Sequence, residues 1–155
     1  MFHYIVRLRH HTDELGLVVQ GHLLIEFVLN EMIRRGLRKP TNILNDHRSY
    51  TFAVKLQILY STGHLPEHIF RNIRRINSIR NHLAHKLDWK SLDLDYKFSR
   101  DDTEGRGDVD VRDTKSRRKP TPRRYIKSLC LLTLVDLRSH FFETYGAFPV
   151  HELYT

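Results

Sequence analysis

The sequence contains one cysteine, seven scattered glycines and no long unbroken apolar run, and each scarcity removes a class of protein. With Cys130 alone there is no intrachain disulfide, and its place in the run from Leu129 to Leu132 is that of a small core hydrophobe. No glycine-rich phosphate loop is present, nor a serine or cysteine in a nucleophile setting. The opening from Met1 to Arg7 has no apolar stretch of signal-peptide length. No segment is expected to reach the roughly 18 residues that cross a bilayer, so a cytoplasmic protein without a membrane partner is expected. Eleven histidines raise the question of a metal. However, His64-Leu65-Pro66-Glu67-His68 reverses the order of the zinc-protease motif and puts proline at its centre, and His82 with His85 is a bare helical spacing. No metal and no cofactor are expected.

What is abundant is positive charge. Lys and Arg number 26 against 18 Asp and Glu, a formal charge of +8, so the solvated surface should attract polyanions such as RNA, DNA or acidic proteins. Surplus basic charge also serves solubility, so a site must decide its meaning. At 155 residues, 40% of them hydrophobic, the chain suits a single domain over residues 1–155.

The apolar pattern is helical. Leu17, Leu24, Val28 and Met32 recur through about Asp13 to Arg35, with Thr12 or Asp13 as cap and Gly36 where a left-handed C-terminal residue is expected. Gly21 falls on the apolar stripe, where it permits another backbone to approach. Lys39-Pro40-Thr41-Asn42 reads as a break, a second helix runs from about Tyr50 to Tyr60 with Gly63 at its end, and a third from near Pro66 to about His85. Residues 86–120 form a long charged insertion. Within it, Leu92 to Phe98 and Val109 to Val111 alternate in the manner of a short hairpin, and 100–107 read as its tip. Lys115 to Lys119 is the densest basic cluster; Arg117, Arg118 and Lys119 are candidate RNA contacts, against the plainer reading of a solvated linker. Thr121-Pro122 signals the last helix, apolar nearly all round from Leu129 to Leu137 and ending near Gly146. The fold expected is an all-α bundle of four to five helices.

The third helix carries the candidate site. At about 100° per residue, Ile69, Ile73, Ile76 and Leu83 define one arc, and Arg80 falls within it. A buried guanidinium costs several kcal/mol unless paired, so Arg80 is expected either in an ion pair with Glu31 or Asp136, or at a functional site. Asn81 and His85 share a neighbouring face, and His85 lies near enough to the helix end for its ring to turn toward Arg80. Arginine can stabilise charge on a phosphorane, histidine can move a proton, and RNA supplies its own nucleophile in the 2′-hydroxyl. One imidazole serves poorly as both acid and base, whereas a twofold dimer would supply two. Arg71, Arg74 and Arg75 on the same helix are either a solvated face or an RNA-guiding track. Trp89 and Tyr96 could stack on bases, but covering the core is the expectation.

The segment Arg80-Asn81-His82-Leu83-Ala84-His85 resembles the motif of the HEPN superfamily, an arginine followed by a polar residue and, a few residues on, a histidine near the end of the third helix of a bundle. Taken with Thr12 to His22, it looks like the mannitol-repressor branch. The resemblance covers residues 12–87 and, more loosely, the helix after 121, but not the insertion. It implies a homodimer with two motifs facing across a cleft, and a metal-independent endoribonuclease of the toxin–antitoxin or defence kind. By position, Arg80 would stabilise the transition state, Asn81 would orient phosphate or ribose, and His85 would be the acid or base. Other members are non-catalytic regulatory modules, and a nucleotidyltransferase-like antitoxin is a partner of the kind implied.

Overall fold

A computed structural model describes residues 14–86, 94–100, 108–110 and 120–147. The described residues are mostly helical: α1 (Glu14–Gly36), α2 (Pro40–Asn45), α3 (Phe52–Ser61), α4 (Glu67–Lys86) and α5 (Pro122–Tyr145), with one two-stranded hairpin of β1 (Lys97–Ser99) and β2 (Asp108–Asp110). Helix α1 is the central element, packed against α2, α3, α4 and α5. The cross-helix contacts set directions. Gly21 meets Cys130 and Gly36 meets Tyr145, so α5 runs parallel to α1. His22 bonds Asn77 while Gly36 touches His64, just ahead of α4, so α4 runs antiparallel to α1. The first turns of α1 therefore lie beside the last turns of α4.

The core gathers the stripes of these helices, among them Ile25, Leu29, Ile73, Leu134 and Phe141, all sealed from solvent. Each such side chain contributes about 1.5–3 kcal/mol of burial. This composition makes Leu15–Gly36 long and apolar enough to cross a membrane, contrary to the expectation from sequence. Its apolar side chains are largely spent on the other helices, as befits the central helix of a bundle.

The expected boundaries of α1, α3, α4 and α5 hold to within about two residues. Thr121 caps α5, its Oγ1 accepting from Arg124 N at 3.3 Å, and Pro122 takes the first turn. Gly146 closes α5 at φ 77°, and Gly63 follows α3 at φ 75°. Gly21 is the close-packing glycine expected, since an added Cβ would lie 3.0 Å from Cys130 Sγ. Two local readings change. The stretch read as a break contains α2, which has Pro40 in its first turn and buries no residue, so it leaves no apolar stripe to read. Gly36 is not left-handed but the last residue of α1; a Cβ there would meet the Tyr145 hydroxyl at 2.7 Å and the His64 ring at 2.9 Å.

The hairpin pairs Phe98 with Val109, the facing ends of the two expected alternating runs. It is tied to α4 by Asn72, fully buried, whose Nδ2 donates to Ser99 O at 2.8 Å and whose Oδ1 accepts from Ser99 N at 2.9 Å. A side-chain amide thus supplies the backbone pairing that a third strand would give. Tyr125 of α5 holds the other end, donating to Lys97 O at 2.8 Å and Asp95 Oδ1 at 3.1 Å. Burial, with the Asp95 carboxylate beside it, pushes the Tyr125 hydroxyl well above its ordinary range. Tyr96, half-buried, packs on the Tyr125 ring and covers the core as expected. The positions 101–107, Trp89, Arg117, Arg118 and Lys119 lie outside the described residues.

Candidate functional site on the third long helix

Helix α4 presents a buried stripe and an exposed side. Ile69, Asn72, Ile73, Ile76, Ile79 and Leu83 are buried. Ile69, Ile76 and Leu83 are seven apart, and a seven-residue repeat drifts by about 20° per heptad on a 3.6-residue helix. The drift turns the buried stripe toward Ile79 and away from Arg80. Arg80 is accordingly exposed, which corrects the expectation that it faces the core. Neither acid proposed as its partner takes that role. Glu31 pairs with Arg34 and Arg35, and Asp136 feels the charges of His68 and Arg100.

Among the described residues, α3 leaves the Arg80 end of α4 uncovered, because it begins level with His22. Phe52, its first residue, packs against the His22 ring at a tilt of 34°, with centroids 4.0 Å apart. Past that point α1 and α4 continue without α3 between them. The Arg80 guanidinium turns toward its neighbour, Nη1 donating to Asn81 Oδ1 at 3.0 Å. Asn81 and His85 are exposed one turn apart on the same face. Helix α4 extends through Lys86, so the backbone at His85 is still helical and the ring is not freed to swing. Ideal geometry leaves His85 about 140° from Arg80 around the axis. What links them within one chain is the reach of the Arg80 side chain to Asn81.

A polar cluster that sequence reasoning did not assemble lies behind Arg80. His22 is only 6% exposed, and Asn77 Oδ1 accepts from its Nε2 at 3.2 Å. Burial lowers the proton affinity of His22, the bond to Asn77 opposes this, the Arg80 charge lowers it further and Glu26 raises it. The imidazole is therefore neutral at physiological pH. Lys55 of α3 is also buried, donating to Asn30 Oδ1 at 3.0 Å and lying 4.0 Å from Glu26 Oε1. His22, Glu26 and Asn30 are four residues apart along α1, the one sequence signal that could have grouped them.

The remaining candidates divide. Arg71 pairs with Glu67 across one turn. Arg74 stacks on Phe70, its guanidinium carbon 5.6 Å from the ring centroid. Arg75 is drawn into the hairpin anchor, Nε donating to Asp95 Oδ2 at 3.1 Å and Nη1 to Ser99 Oγ at 2.8 Å. His64 and His68 do not chelate together: His64 Nδ1 is hydrogen-bonded to the Tyr145 hydroxyl at 2.8 Å, while its carbonyl accepts from His140 Nε2 at 2.9 Å. Among the described residues no group of three or more His, Cys, Asp or Glu side chains is arranged to hold a metal. Burial pushes the Cys130 thiol up to about 12, which suits a packing residue and not a nucleophile.

No family model matches the chain, and comparison with curated proteins and with solved structures finds no match either. The HEPN resemblance rests on the motif and its helical setting.

Proposed function

We propose that this protein is a metal-independent endoribonuclease of the HEPN type, acting as a homodimer in the cytoplasm in the manner of a toxin or defence enzyme. The observation that carries the reading is the open placement of Arg80, Asn81 and His85 on the last turns of α4, with Asn81 holding the arginine on the solvent side. A guanidinium so placed can meet the phosphorane charge that develops as the ribose 2′-hydroxyl attacks the adjacent phosphate. One His85 takes the 2′-hydroxyl proton and a second, from the other subunit, protonates the leaving 5′-oxygen. The products are a 2′,3′-cyclic phosphate and a free 5′-hydroxyl. The cationic composition supports a polyanionic substrate.

The test is chemical. Purified protein, incubated with single-stranded RNA in excess chelator, should yield fragments carrying 2′,3′-cyclic phosphate ends. Fragments with 5′-phosphate ends, or cutting that needs added metal, would contradict the reading.

A second reading is favoured by a different observation. Leu15, Val19 and Leu23, 38–58% exposed, form a solvent-facing apolar strip on the part of α1 that lies beside the last turns of α4. Such a strip suits a protein partner, so a non-catalytic regulatory module binding another protein is the alternative. It predicts no RNA cleavage under any condition.

A further inference from the structure

The solvent side of α4 carries a row of side chains leading into the motif. Arg71, Arg74, Ser78, Asn81 and His85 follow at intervals of three and four residues and are all exposed. On a 3.6-residue helix they form one line, about 21 Å long at about 1.5 Å per residue. At the end remote from His85 the surface is concave: Arg71, Arg74, Arg75 and Ser78 line a shallow depression of about 280 Å³. Guanidinium groups only donate, and a hydroxyl can donate as well, so the lining suits an acceptor-rich anion. Two carboxylates border it, Glu67 on Arg71 and Asp95 on Arg75. Against three guanidinium groups they leave it cationic. Stacking on Phe70 holds the third, Arg74, along the helix.

We infer that this depression seats one backbone phosphate of a single-stranded polynucleotide, and that the row is the track by which the strand reaches Arg80, Asn81 and His85. The far end of the track rests on the ribonuclease reading above; the seat does not, because it recognises phosphate and not the 2′-hydroxyl. A single strand fits better than a duplex. It can lie along one helix face with a phosphate in the depression and its bases turned outward, whereas the deep major groove of duplex RNA is closed to side chains. Glu67 then competes with the phosphate for Arg71.

Fluorescence anisotropy with a labelled ten-nucleotide single-stranded DNA, which lacks the 2′-hydroxyl and cannot be cut by such a site, tests the seat on the full chain. Arg71→Ala with Arg74→Ala should weaken binding about tenfold or more and reduce the slope of log K against log salt by about 0.7, the loss of one phosphate contact. Ser78→Glu, which leaves every arginine in place, should weaken binding as well, and Glu67→Gln should tighten it a few-fold. Unchanged affinity and salt slope in the folded double variant, verified by circular dichroism, would overturn the inference even if the protein cuts RNA. Binding that follows the seat while RNA is never cut would uphold it and sink the ribonuclease reading alone.

Discussion

Arg80 Nη1 donates to Asn81 Oδ1 at 3.0 Å, a bond between sequence neighbours that steers a guanidinium toward the face bearing His85. On the proposed reading, Asn81 acts as a positioning residue for Arg80. Asn81→Ala should leave the melting temperature nearly unchanged, because the pair is exposed, while lowering RNA cleavage by about tenfold, the equivalent of one modest hydrogen bond. Asn81→Asp should hold Arg80 more firmly yet cleave less, since its carboxylate repels the scissile phosphate. Steady-state cleavage rates of the two variants check this; wild-type rates in both would remove Asn81 from the site.

His22 makes stability depend on pH. Its folded-state proton affinity lies below the ordinary value of 6.5, so between that lowered value and 6.5 the unfolded chain binds more protons than the folded one. Stability should rise with pH across this window. It is at its full level above 6.5 and falls on acidification, with a slope of at most about 1.4 kcal/mol per pH unit. Urea titrations from pH 5 to 7 should show the slope in the wild type and a shallower one in His22→Gln. An identical slope in both would contradict the burial argument.

Asn72 is the joint between hairpin and bundle. Asn72→Leu removes both hydrogen bonds to Ser99 and leaves its backbone N–H and C=O to find other partners, which should cost about 2–4 kcal/mol by chemical denaturation. Hydrogen exchange in residues 97–99 should accelerate out of proportion to that in α5. Uniform acceleration would mean that the hairpin is not separately anchored.

Gly21 and Cys130 form a tight pair. Gly21→Ala gains about 1 kcal/mol of helix propensity but forces a Cβ to within 3.0 Å of a sealed sulfur, and overpacking of this kind costs about 1–3 kcal/mol. The net change should be destabilising, and adding Cys130→Ala should recover much of the loss. A double-mutant cycle with no coupling would contradict the contact.

The long helices were legible because each writes its own signals: an apolar stripe in α1 and α4, and Thr121-Pro122 and Gly146 at the ends of α5. Features that depend on distant partners were not. Gly36 is required by Tyr145 and His64, not by its local backbone, and Asn72 is buried for a strand 27 residues away. Arg80 was misplaced because the arc on the wheel left out Ile79, whose burial reveals how far the stripe turns. The Arg80 to His85 segment was legible as the end of α4, but its exposure removes the buried-cation argument that singled it out. Ser78 went unnoticed, although its place midway between Arg74 and Asn81 in the three-and-four spacing was there to be read.

The central claim is that Arg80 and His85 act on RNA at this end of the bundle. The most direct measurement is the rate at which purified Arg80→Ala and His85→Ala cut single-stranded RNA in chelator, set beside the wild type, with urea denaturation as the control for folding. Both side chains are exposed, so both variants should unfold like the wild type. Loss of cleavage by at least about 100-fold in each is predicted, the scale of a removed acid–base group or charge stabiliser. Cleavage that persists in both folded variants, or is absent from the wild type, would contradict it.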